Sequence, residues 1–347
     1  MADPDRFPII GATRDEVGEF IARPELPAYR AGQVLRWVYA AGVQSFEEMT
    51  DLSKALRAML AERAVLHTSR VAEARTSSDG TKKLLLALAD GQSVEAVMIP
   101  EGGRRTVCIS SQVGCAVGCA FCASGVGGLV RNLSAGEIVE EVLHARRTIE
   151  PEASLTNVVV MGIGEPLMNY DALVRALRVL AAPWGLALSP RRVTVSTVGL
   201  PAQIRQLAEE GLGVNLAVSL HAADDVTRGR LVPHAHPVHE VLAAARGYLH
   251  RTEREVTLEY VLVKGVNDST EDARALADLV RREPMLVNVL PLNPVPGLAL
   301  EEPSPGRVER FVAELASHGV RVQRRRRRGA DIEGACGQLR RRVAVQG

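Results

Sequence analysis

From residue 104 onward the chain alternates between two hydrophobic periods. The runs "TVCIS", "NVVVM", "VTVST", "VNLAVSL", "VTLEYVLV" and "VNVLPL" are short and rich in β-branched residues, the pattern of buried strands. Each precedes a stretch with apolar residues three and four apart: "EIVEEVLHARR", "YDALVRALRVLAA", "PAQIRQLAEE", "VHEVLAAARGYLH", "DARALADLVRRE" and "GRVERFVAELASHG". Ser134 and Glu137 have the spacing of a capping box at the head of the first of these helices. Six strand-then-helix units predict a parallel sheet covered by helices. Six is short of the eight that close a barrel, so a partial (β/α)6 barrel and an open doubly wound sheet both fit.

The earlier part of the chain reads differently. Residues 1–75 carry helical spacing in "TRDEVGEFIA", "AGQVLRWVYAAG" and "LSKALRAMLAERA", with Thr13 and Glu16 as a second capping box. They predict a small helical accessory domain with Trp37 and Tyr39 in its core. Residues 76–103 predict a short β-rich extension, two apolar runs around the turn dipeptide Asp90-Gly91. Residues 104–347 then form the barrel and a C-terminal basic segment.

Composition narrows the class only a little. The 347 residues carry 42 basic and 41 acidic side chains, so net charge does not advertise a nucleic-acid binder and local charge must be read instead. No signal peptide and no run of about 18 apolar residues is visible, which predicts a cytoplasmic protein with no membrane contact. The five cysteines are an odd number, and three are crowded together, which points to metal binding or catalysis rather than a disulfide framework.

Those three are Cys115, Cys119 and Cys122, in "VGCAVGCAFCASG". They follow the first barrel strand and precede the helix capped by Ser134, at the strand end where βα architectures place active sites. Thiolates select zinc or iron–sulfur clusters. A structural zinc site is closed by four ligands, and here Cys108 or Cys336 would have to supply the fourth. A [4Fe–4S] cluster held by three cysteines instead leaves one iron free to bind a substrate. Polar residues sit at the other strand ends: Gly164 and Glu165 after the second, Ser196 at the third, Ser219 and His221 at the fourth, Asn293 after the sixth. Any one of them is explained as a capped turn or packed strand end. Together on one rim they suit a ligand bearing an amine, a carboxylate and a ribose.

C-x-x-x-C-x-x-C with Phe121 before the last cysteine resembles the signature of the radical S-adenosylmethionine enzymes. That resemblance implies a partial (β/α)6 barrel and a [4Fe–4S] cluster whose open iron chelates the amino acid part of S-adenosylmethionine. The reduced cluster would cleave the cofactor to a 5′-deoxyadenosyl radical, and Gly164-Glu165 would match the motif that contacts the methionyl amine. Further stretches make the resemblance more specific. "TVCISSQVGCAVGCAFCASG", "VVVMGIGEPLMNYDALVRAL", "VTVSTVGL", "NLAVSLHA", "RRGADIEGACGQL" and the N-terminal "YRAGQVLRWVYAAGVQSFEEMTDLSKALR" together resemble the RlmN/Cfr family of radical RNA adenine methyltransferases, over residues 25–342.

The family resemblance implies methylation of carbon 2 of an adenine in 23S rRNA, and of the tRNA adenine beside the anticodon, with two S-adenosylmethionine molecules per turnover. One would methylate Cys336. The radical from the second would take a hydrogen atom from that methyl group, and the carbon radical would add to the base, tethering RNA to protein. Cys108 would resolve the adduct by forming a disulfide with Cys336. Glu95 matches the proton acceptor, and Ser196, Ser219, Leu220, His221 and Asn293 match cofactor positions. A monomer reduced by flavodoxin or ferredoxin is expected. Methylation at carbon 8 uses the same cysteines and is the alternative; a non-catalytic, zinc-stabilised RNA-binding protein is another. The arginines at 324–328 and 340–342, beside Cys336, read as phosphate contacts for an unstacked RNA target.

Overall fold

The computed structural model describes residues 6–22, 27 and 29–340. Helices form first where caps and apolar spacing coincide. α1 (Arg14–Ile21) starts on the reciprocal Thr13–Glu16 capping box. α2 (Arg30–Arg36) runs into a π-helical turn over Trp37–Ala41, and α3 (Lys54–Arg63) is capped by Ser53. Tyr39 is fully buried, and its hydroxyl accepts the Gly11 N–H at 3.0 Å. Trp37 is only half-buried at the edge of this core and donates its indole N–H to Asp51.

Four antiparallel strands follow as a meander: β1 (Ser69–Thr76), β2 (Lys82–Leu88), β3 (Ser93–Glu101) and β4 (Arg104–Ile109). The last is also the first strand of the parallel part. From it run α4 (Ala135–Arg146), β5 (Asn157–Val160), α5 (Tyr170–Ala181), β6 (Val193–Thr197), α6 (Pro201–Glu209) and β7 (Asn215–Ser219). Then come α7 (Asp225–Leu231), α8 (Val238–Thr252), β8 (Val256–Leu262), α9 (Thr270–Val280), β9 (Leu286–Pro291), α10 (Pro305–Ser317) and β10 (Val322–Arg324). These ten strands form one sheet in sequential order, with β1 and β10 as its two edges, and two short two-stranded ladders lie outside it. The sheet therefore stays open, as a barrel short of two strand–helix units must. Every strand end from β4 to β9 points to the same rim.

Three elements differ from the expectation. β1 lies inside residues expected to be helical, because an edge strand with most side chains exposed has no apolar stripe to announce it. α7 has seven mostly polar residues, and β10 is a three-residue strand that opens the arginine run.

The accessory helices are fixed to the barrel through α4. Gly11 (φ 86°) lies against Gly136, where a Cβ would fall 2.6 Å from backbone atoms, so neither position admits a side chain. Glu140 accepts the N–H groups of Thr68 and Ser69 at 2.7 and 2.8 Å, together with both hydroxyls. His67 and His144 lie within 4.8 Å of that carboxylate, and Arg147 donates to both rings, so the cluster forms an internal polar network. Burial lowers His144 to about 4, keeping its ring neutral there.

Candidate active site

The cysteine loop is shaped by close backbone contacts. Gly114, at φ 77°, would carry a Cβ 2.0 Å from the Gly128 carbonyl oxygen, and the Cys115 N–H donates to that same carbonyl. The Cys122 N–H closes a turn onto the Cys119 carbonyl at 3.1 Å. The loop packs in an apolar collar of Val117, Phe121, Leu231, Val232, Val263 and Leu292. Burial pushes the Cys115 thiol up to about 11 and raises Cys119 and Cys122 as well, with charge on neighbouring cysteines adding to the shift. Such thiols ionise when a bound cation compensates them.

All three open onto one cavity, whose other walls come from the strand ends. Gly164, Glu165, Ser196, Ser219, His221, Asn293 and Cys336 line it, with Arg325 and Glu259. Glu165 is buried and raised to about 7 by that burial. Its carboxylate accepts the N–H groups of Leu167 at 3.0 Å and Val198 at 2.8 Å, so it cross-links the turn after β5 to the end of β6. His221 is held at φ 61°, and its Nδ1 accepts the Val261 N–H at 3.1 Å. Burial lowers it to about 3, so the ring is neutral with its proton on Nε2. Asn293 donates to the Cys336 carbonyl at 2.9 Å, while its Oδ1 is buried without a partner among the described residues. A donor on a bound molecule would satisfy it.

Three of the residues singled out from sequence stand back from the cavity. Leu220 is a core residue whose backbone carbonyl accepts from Arg228. Cys108 lies beneath the floor in a small apolar cluster with Val97, Ile163 and Leu339, and burial followed by charge on Cys336 raises it to about 12. Glu95 is 1% exposed, pairs with Lys83 at 3.2 Å and accepts the Arg340 N–H at 3.0 Å.

Two cations were not legible as site residues. Arg325 was read as one of five phosphate-binding arginines. The structure turns it inward from the end of β10, with Nη1 3.7 Å from Glu259, and charge on Cys336 raises its pKa. Arg328 pairs instead with Glu101, and Arg327 with Glu302, so the run is not one patch. Arg228, on α7, is fully buried and donates to the carbonyls of Ser219 at 2.9 Å, Leu220 and Val198. The remaining arginines of the segment, Arg341 and Arg342, lie outside the described residues.

Three cysteines thus lie on a loop after the first parallel strand and face a polar rim in an open (β/α) sheet. Residues 109–277 match the Radical SAM superfamily, and residues 8–66 match the ribosomal RNA large subunit methyltransferase N-terminal domain. The chain is 45% identical to the probable dual-specificity RNA methyltransferase RlmN of Rhodopirellula baltica, over 97% of this chain and 92% of that one. It is 46% identical to the corresponding Thermus thermophilus protein, over 91% and 90%. The crystal structure of a radical SAM methyltransferase from Sphaerobacter thermophilus superposes with a TM-score of 0.93 at 45% identity, covering 96% of this chain and 99% of that one. The chain belongs to the RlmN family of radical S-adenosylmethionine RNA methyltransferases. Membership sets aside the non-catalytic zinc reading. No described helix is long and apolar enough to cross a membrane.

Proposed function

We propose that the protein methylates carbon 2 of an adenine in 23S rRNA, and of the tRNA adenine beside the anticodon, by relaying the methyl group through Cys336. The observation that carries this reading is the position of Cys336. It opens onto the cavity of Cys115, Cys119 and Cys122, although more than 200 residues separate it from them in sequence. The three clustered cysteines would hold a [4Fe–4S] cluster, and the backbone at Gly164 with Glu165, Ser196, Ser219, His221 and Asn293 would hold S-adenosylmethionine; Leu220, set back in the core, would act only by positioning its neighbours. When bound, that pair supplies a carbon radical that can take a hydrogen atom from an S-methyl group.

The chain's own residues do the rest. Cys336 takes a methyl group from one cofactor molecule and presents it to the radical chemistry of a second. Arg325 lines the same cavity as Cys336 and places a cation there. Cys108, behind the cavity floor, forms a disulfide with Cys336 as the methylated base departs. Glu95 accepts the proton lost from the base, a role that requires it to be released from Arg340. A low-potential donor such as flavodoxin or ferredoxin supplies the electron. The neutral, buried His221 stacks edge-on against Phe121 with centroids 4.8 Å apart, which keeps water from the apolar side of the cup.

Mass spectrometry of digested 23S rRNA and tRNA tests the reading. Incubation with the cluster-loaded protein, S-adenosylmethionine and reductant is expected to yield 2-methyladenosine, and Cys336→Ala to yield none. A main product of 8-methyladenosine would overturn the assigned position, and methylation by Cys336→Ala would overturn the relay.

A further inference from the structure

The segment that carries Cys336 has little structure of its own. Between Gly329 and Arg340 it contains one three-residue helical turn, Ala330–Ile332, and no strand. Such a segment would sample many positions unless both flanks were tied down.

One flank is tied to the barrel. Asn293 holds the Cys336 carbonyl, the Ala123 N–H donates to the Gly337 carbonyl at 2.7 Å, and the Ser124 hydroxyl to the Leu339 carbonyl at 2.7 Å. The other contacts come from the β1–β3 meander, which contributes nothing to the cavity wall. The Gly329 N–H donates to Asp79 at 3.1 Å, and Asp331 accepts the Ser77 hydroxyl at 2.6 Å and the Ser78 N–H at 3.1 Å. Gly329, at φ 61°, is pressed so closely on Thr81 that a Cβ would lie 2.8 Å from its methyl carbon. Lys83 then bridges: its ammonium donates to the Glu333 carbonyl at 3.1 Å and pairs with Glu95 at 3.2 Å, while Glu95 accepts the Arg340 N–H.

We propose that the β1–β3 meander is the dock that presents Cys336, and that Lys83 and Asp331 are positioning residues for methyl transfer to it. This rests on the relay reading of Cys336. Lys83 and Glu95 are 4% and 1% exposed. A buried ion pair is a weak source of stability, because desolvation offsets most of the attraction. What the pair supplies is geometry, since its two members grip the segment three residues before Cys336 and four residues after it. The meander thus acts on the reaction only through the segment it holds.

The test uses the full chain with its cluster reconstituted. Lys83→Met removes a buried cation and risks the fold, so the exposed outer contact is tested beside it with Asp331→Ala and Asp331→Asn. Four readouts are taken: visible spectrum and iron content, S-adenosylmethionine affinity, hydrogen exchange over residues 329–340, and the mass of the Cys336 peptide after one turnover. Asp331→Ala is expected to leave spectrum and affinity unchanged, to raise exchange over 329–340, and to slow Cys336 methylation by about tenfold, the scale on which small misplacements slow a step. Asp331→Asn keeps an oxygen for Ser77 and is expected to recover most of the rate. Faster exchange with wild-type methylation, or unchanged exchange in both Lys83→Met and Asp331→Ala, overturns the dock. If the wild-type chain gains no methyl group on Cys336, the relay falls, and the exchange comparison alone decides the dock.

Discussion

Gly164 sits at φ 108°, where a Cβ would lie 2.6 Å from Gln112 Cβ and 2.7 Å from Ser111 Oγ. Gly164→Ala must move the turn that carries Glu165, at a cost of about 1–3 kcal/mol for the strained backbone alone. Weaker S-adenosylmethionine binding with an unaltered cluster spectrum is the expected result. Glu165 itself gives a pH signature. Its folded pKa is raised to about 7 by burial, so the folded chain holds this proton more tightly than the unfolded chain. That contribution is present below the ordinary carboxylate pKa and is lost as pH rises through about 7. At one pKa unit per 1.36 kcal/mol it amounts to about 3 kcal/mol. In denaturant titrations of the metal-free protein at pH 5 and pH 8, Glu165→Gln should shrink the difference between the two stabilities; an unchanged difference would count against the assigned cause. Both residues were legible in sequence, because Gly162 and Gly164 soon after a valine run mark a strand end. The inward turn of Arg325 was not, since five identical side chains in a row carry no sign of which one faces the cavity.

At the scale of elements, the six strands and six helices of the barrel were read from period alone, because the strands are short β-branched runs and most of the helices carry one apolar stripe. α7 escaped because its role is polar. Arg228 fastens the carbonyls at the ends of β6 and β7, and the Leu231 carbonyl at the C-terminal end of the helix accepts the Ala120 N–H of the cysteine loop at 2.9 Å. One short helix therefore brackets the cluster loop to the rim of the cup. Arg228→Met leaves several carbonyls without their donor, a loss of about 1–3 kcal/mol for each that stays buried. Lower thermal stability of the metal-free chain together with weaker S-adenosylmethionine binding is expected, and normal binding would show that the bracket is dispensable. β1 and β10 escaped for a different reason. Both are sheet edges, where exposed side chains replace the apolar pattern that marks interior strands.

At the scale of the whole molecule, a net charge of +1 conceals how the charge is arranged. Arg324 and Arg326 are exposed on either side of the inward-facing Arg325, just before the segment that carries Cys336. On the proposed relay the target base reaches that segment, and phosphates beside it would pass these two side chains. Each phosphate contact to single-stranded nucleic acid contributes about 0.7 to the slope of log affinity against log salt. The double variant Arg324→Ala, Arg326→Ala should therefore bind RNA more weakly and lower that slope by about 1.4. On the proposed relay, the first transfer joins only S-adenosylmethionine and Cys336, so it should proceed in the double variant at the wild-type rate. Arg325→Met should do the reverse, slowing methylation of Cys336 while leaving the salt slope in place, because its guanidinium turns into the cavity beside Glu259 and Met161. The two measurements divide one run of arginines between two functions. An unchanged slope in the double variant would place the RNA path elsewhere on the surface.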